Sequence, residues 1–169
     1  MRTAFLLATA IAAAGVTTTA DAVDRDMWLQ ANGAGICQAA LPNYEGQIRK
    51  RPLAIQNEGS SPAFVTCSPT SLQFAASSDF GHGVYLQNRS DSPVTVSCTG
   101  VMGASTWPAE YSAKSVEIGP EDTGSIYWVS TDFPSNLAEN NTTFNLSCAL
   151  LPGTGILTVY VNQTVDVGQ

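Results

Sequence analysis

Two five-residue stretches of the chain share one pattern, Val94-Thr95-Val96-Ser97-Cys98 and Phe144-Asn145-Leu146-Ser147-Cys148: apolar, polar, apolar, serine, cysteine. Side chains alternate along an extended backbone, so Val94, Val96 and Cys98 share one face, as do Phe144, Leu146 and Cys148. Both cysteines therefore face a core, and a disulfide pinning these two strands would organise the fold. The four cysteines Cys37, Cys67, Cys98 and Cys148 allow three pairings. The matched phase of the two strands selects Cys98 with Cys148 and leaves Cys37 with Cys67. Each bridge is worth on the order of 4 kcal/mol in the chain-entropy account. No two cysteines stand at the close spacing of structural zinc ligands, and the sequence calls for neither a metal nor another cofactor.

An even set of cysteines belongs in an oxidising compartment. The start of the chain agrees: Arg2, an apolar run over residues 4–16 and the ending Ala20-Asp21-Ala22 read as a secretory signal peptide over residues 1–22. That run is too short to span a bilayer, and no later stretch is long and apolar enough. The expectation is one domain, residues 23–169, secreted or periplasmic, with no membrane span. Seven Lys and Arg stand against fourteen Asp and Glu. This acidic balance argues against nucleic acid as a partner.

Short extended runs separated by turn residues recur along the mature chain. Three hairpins are expected: 48–56 with 63–67, 84–87 with 94–99, and 115–118 with 125–130. Residues 23–36 read as an irregular arm tied down by Cys37, and 68–83 as a long connection carrying one short strand. In the last strand, 156–165, Leu157, Val159 and Val161 alternate with Thr158, Tyr160 and Asn162. The pattern predicts an all-β, antiparallel β-sandwich of eight or nine strands with two disulfides, an immunoglobulin-like or jelly-roll Greek key. Immunoglobulin domains carry Tyr two residues before the second core cysteine, where this chain has Leu146.

The run Tyr44-Glu45-Gly46-Gln47-Ile48-Arg49-Lys50-Arg51-Pro52-Leu53-Ala54, followed by Asn57-Glu58-Gly59 and Ala63-Phe64-Val65-Thr66-Cys67-Ser68, resembles a group of small exported bacterial proteins of unknown function. The two cysteine strands fit that group as well. The resemblance implies a bacterial, exported, disulfide-bonded β-domain and supplies no catalytic residue.

Candidate chemistry is sparse. His82, the single histidine, lies in Gly81-His82-Gly83 and is expected on a solvated loop. A small hydrolase would have to use it in a Ser-His-Asp set, or pair two of Glu45, Glu58, Glu110 and Glu117, and no serine stands in a Gly-x-Ser-x-Gly setting. Arg49-Lys50-Arg51-Pro52 concentrates positive charge that can grip an anionic ligand, protect a sheet edge, or neutralise Glu45 and Glu58. Trp107, Tyr111, Tyr127 and Trp128 offer aromatic faces for a sugar; Ile126 and Trp128 share one face of their strand and Tyr127 the other. The candidate binding residues are thus Arg49, Lys50, Arg51, Trp107 and Tyr111, with no catalytic residue assigned. The expected function is an exported, non-enzymatic module that binds a protein or a glycan, in the cell envelope or beyond it. A hydrolase is the second reading. The third is a structural or inhibitory subunit acting through the strand 156–165 or the loop 68–83.

Overall fold

The computed structural model describes residues 23–69, 80–103, 109–133 and 143–166. Their elements are β1 (Asp24–Asn32), α1 (Gly33–Ile36), β2 (Cys37–Ala39), β3 (Ile48–Arg51), β4 (Ala54–Asn57), β5 (Ala63–Cys67), β6 (Phe80–Asn88), β7 (Val94–Gly103), β8 (Glu110–Ile118), β9 (Thr123–Val129), β10 (Thr143–Leu150) and β11 (Thr154–Asp166). The strands form two antiparallel sheets. One runs β3-β4-β11-β6-β9, with β1 added along β11 beyond the short β4 pairing, and the other runs β2-β5-β10-β7-β8. The eight strands from β4 to β11 have the strand order of a jelly roll, which decides between the two expected Greek keys.

One core lies between the sheets. The six-stranded sheet contributes Ile55, Val84, Leu86, Trp128, Ile156 and Val159, and the other sheet contributes Val65, Val96, Phe144, Leu146 and Leu150. Period-two alternation produces this directly: β7 and β10 bury every second residue, as the cysteine strands require. Both disulfides form as expected, Cys37–Cys67 and Cys98–Cys148. Each joins directly opposed residues on neighbouring strands of the five-stranded sheet, whereas the immunoglobulin bridge spans two sheets.

The three expected hairpins are not hairpins. β4 and β5, β6 and β7, and β8 and β9 lie in different sheets, so the turns between them carry the chain across the core. Asparagines explain two of these crossings. Asn57 and Asn88 are both buried; each side-chain oxygen accepts from the amide two residues on (2.9 Å in both), and each Nδ2 donates to the carbonyl four residues on, at 2.9 and 2.8 Å. Nδ2 then reaches across to the facing sheet: from Asn57 to the Leu150 carbonyl (2.8 Å), and from Asn88 to those of Ile118 (3.2 Å) and Gly119 (2.9 Å). The side chain thereby satisfies carbonyls that a hairpin ladder would have satisfied. Gly153, at φ +81°, sits between the two turns, its amide donating to the Asn57 carbonyl and its carbonyl accepting from the Arg89 amide.

Three further expectations change. Residues 24–32 are not an arm but a full strand, paired residue for residue with β11 from Asp24↔Asp166 to Asn32↔Thr158. Because most of β1 is exposed, it carries no buried alternation for a sequence reading to detect. Pro52 and Leu53 form the turn of a β3–β4 hairpin, which divides the expected run 48–56 into two strands, and Leu53 is exposed. The strand β11, through which the third reading would act as an edge, is interior: β6 covers one side and β1 with β4 the other. The connection 68–83 ends in strand from Phe80 onward, and residues 70–79 lie outside the described ones.

Candidate functional site

Alternation that buries one face of the six-stranded sheet leaves the other to solvent. On β6, His82, Val84 and Leu86 point inward, so Gly81, Gly83, Tyr85 and Gln87 lie on the outer face. The register extends this face sideways. Tyr160 and Tyr127 flank Gly83 on β11 and β9, while Asn162 and Trp28 continue from Gly81 onto β11 and β1.

These positions assemble an aromatic platform. Tyr160 is its centre, with Tyr85 at 5.0 Å, Trp28 at 5.8 Å and Tyr127 at 6.0 Å between ring centroids. None of the three rings tilts more than 34° from the Tyr160 plane. The two glycines make this flat arrangement possible. A Cβ on Gly83 would stand 2.0 Å from Tyr160 Cζ, and one on Gly81 would stand 1.5 Å from the Tyr127 hydroxyl. The rings thus lie over bare backbone. Trp28, Tyr85 and Tyr127 keep 57%, 44% and 37% of their surface exposed around the buried Tyr160. Burial, then the neighbouring Tyr85 and Tyr127, push the Tyr160 phenol up to about 12, so it stays neutral at ordinary pH.

Polar groups border the rings. Gln30, Asn32, Thr158, Ser125 and Asn162 occupy the same face. The side-chain oxygen of Asn162 is buried and has no protein hydrogen-bond partner among the described residues. Further along, Arg51, Pro52, Leu53, Ala54, Gln56, Gln87 and Arg89 line an open groove of about 350 Å³. Gln87 Nε2 donates to Gln56 Oε1 across it (3.2 Å).

The expected site residues separate. Arg49, Lys50 and Arg51 lie on β3, an edge strand, and only Arg51 reaches the groove. Arg51 Nε and Nη2 each donate to a Glu58 carboxylate oxygen at 2.7 Å, which realises the ion-pair reading of this stretch. Arg49 is directed to the backbone carbonyls of Glu45 and Ile48 (3.2 and 3.1 Å). Tyr111 lies on β8, the far edge of the other sheet, beside β9; it is exposed and is not brought to the basic run. Trp107 lies outside the described residues. Trp128 is core, its indole donating to the Ser112 carbonyl (2.9 Å), while Tyr127 faces outward as its phase requires.

His82 is not a solvated loop histidine. It sits in mid-β6, 3% exposed, stacked on Phe144 at 4.0 Å between ring centroids. Burial pushes its imidazole down to about 3, so it is neutral and enclosed. The residues that sequence reasoning missed are Trp28, Tyr85 and Tyr160. Their signal was Gly81-x-Gly83-x-Tyr85, a strand face cut down to backbone beside a ring, opposite the core phase.

No family model matches the chain, and no characterised protein matches it by sequence. Similar solved structures include a family 61 carbohydrate-binding module in complex with β-1,4-galactotriose, at 11% identity and TM-score 0.39, covering 79% of this chain and 86% of that one. Another is a family 4 carbohydrate-binding module, at 10% identity and TM-score 0.34, covering 82% and 86%. A third is a family 11 carbohydrate-binding module from Clostridium thermocellum in complex with a β-1,3-1,4-mixed-linked tetrasaccharide, at 7% identity and TM-score 0.39, covering 82% and 86%. At these values the likenesses assign no role to any residue of this chain.

Proposed function

We propose that the outer face of the six-stranded sheet binds a carbohydrate chain, with Trp28, Tyr85 and Tyr127 stacking on sugar rings around Tyr160. The observation that carries this reading is the flat, half-exposed platform over Gly81 and Gly83. A sugar presents an apolar C–H face and a rim of hydroxyls. The platform matches the first with aromatic faces and the second with the amides and hydroxyls of Gln30, Asn32, Asn162, Thr158 and Ser125. The two disulfides suit a protein that works in an oxidising compartment.

The test is affinity electrophoresis of the mature protein in gels carrying soluble polysaccharides, followed by calorimetric titration with whichever oligosaccharide retards it. Trp28→Ala, Tyr85→Ala and Tyr127→Ala should each weaken binding about 10- to 100-fold, the scale of an exposed aromatic anchor. Tyr111→Ala, on the far edge of the other sheet, should leave it unchanged. Equal affinity in all four variants overturns the reading. So does a wild-type dimer that the platform variants dissociate, because a second copy would then own the face.

A further inference from the structure

Gln87 lies on β6 two residues beyond Tyr85 and on the same face, about 6.8 Å along the strand. The platform and the groove are therefore neighbours on this face. Around that groove the charge of the protein reverses. The chain carries a net charge of −7, yet the charged residues lining the groove are two arginines, Arg51 and Arg89. Arg51 is neutralised and oriented by Glu58. Arg89 is exposed at the end of β6 and forms no ion pair with any carboxylate among the described residues. Its backbone is fixed, since its amide donates to the Gly153 carbonyl at 3.0 Å and it lies within the turn that Asn88 holds. Gln56 and Gln87 contribute amides to the lining of the groove, and Pro52, Leu53 and Ala54 apolar atoms.

We infer that the glycan is acidic, a uronate-containing chain whose rings stack on the platform while a sugar carboxylate pairs with Arg89 in the groove. This inference rests on the carbohydrate reading above. A planar guanidinium takes a carboxylate through two parallel charge-assisted N–H···O bonds, whereas a neutral sugar offers it only single bonds to hydroxyl oxygens. A protein of net negative charge repels acidic polymers over most of its surface, so a cation beside the stacking rings favours one place and one register for such a chain.

The experiment compares polygalacturonate, alginate and hyaluronate, each beside its carboxyl-reduced neutral form, by affinity electrophoresis and titration calorimetry. Wild type, Arg89→Gln and Tyr85→Ala are the proteins used. The expected result is retardation by at least one acidic polymer and about tenfold or more weaker binding of its reduced form. Arg89→Gln should lose that preference while keeping the affinity for the reduced form, whereas Tyr85→Ala should weaken both. Binding of the acidic and reduced forms with equal affinity overturns the inference and leaves the carbohydrate reading standing. Preferential binding of neutral polysaccharides does the same. A preference for acidic polymer that survives in Arg89→Gln overturns the assignment of the groove. Equal binding of dextran sulfate overturns the carboxylate in favour of any anion. If no polysaccharide, acidic or neutral, is bound, both readings fail together.

Discussion

The buried histidine gives a sharp thermodynamic prediction. His82 is the single histidine of the chain, and its imidazole is held near 3 by burial against Phe144, whereas an unfolded chain holds it near about 6.5. Its folded value is the lower one, so below about pH 6.5 the unfolded state binds a proton that the folded state does not. Stability is therefore intact above that pH and falls as the pH drops toward the folded value. The slope approaches about 1.4 kcal/mol per pH unit, and between pH 8 and pH 5 the loss amounts to about 2 kcal/mol. Free aspartates and glutamates titrate mostly below this window. His82→Leu keeps an apolar group against Phe144 and removes the titration. Urea unfolding across the window should show wild type losing about 2 kcal/mol and His82→Leu losing little, although the variant starts from its own baseline. Equal losses in the two proteins would refute the argument, because the proton would then reach His82 in the folded state.

Three further outcomes are expected. Gly83→Ala puts a methyl group on the Tyr160 ring, so it should cost about 1–3 kcal/mol in chemical denaturation, alter the near-ultraviolet circular dichroism, and abolish glycan retardation with every aromatic residue still present. Asn88→Ala strips the donor from three carbonyls and should cost about 2–4 kcal/mol; Asn88→Asp, which restores the acceptor but not the donor, should not recover it. The Tyr160 phenol titrates higher folded than unfolded, so its contribution to stability is full below about pH 10 and is lost as the pH rises toward about 12. Alkaline unfolding curves of wild type and Tyr160→Phe should diverge in that window.

What was legible in the sequence was whatever burial writes as alternation. The cysteine strands, the disulfide pairing and the opposed faces of Tyr127 and Trp128 all follow from one repeating contact with one core. β1 was illegible for the same reason, since a strand held mainly by its backbone ladder leaves no apolar period. The crossings were misread because turn residues announce a reversal without saying in which plane. A repeat would have told more: Gln56-Asn57 and Gln87-Asn88 are each followed by Ser-Pro four and five residues after the asparagine, then by Val and Cys at eight and ten. Two copies of one turn ending in two core cysteines mark two equivalent crossings. The aromatic platform was hidden because Trp28, Tyr160 and Tyr85 are distant in sequence and meet only through the strand order β1-β11-β6.

The placement of the disulfides divides the molecule in a way its two layers do not. A single cleavage after the exposed Arg89 would release no loop, and it would yield two pieces, each closed by its own bridge: Cys37–Cys67 in the first, Cys98–Cys148 in the second. The pieces are interleaved. Both neighbours of β6 come from the second piece, and β11 sits between β1 and β6 of the first. Across the aromatic face ownership alternates, with Trp28 and Tyr85 in one piece and Tyr160 and Tyr127 in the other. Neither fragment carries two neighbouring strands of the platform; the platform exists only when the two are threaded together, so if it holds sugar as proposed, retention by a nicked sample would report its reassembly strand by strand.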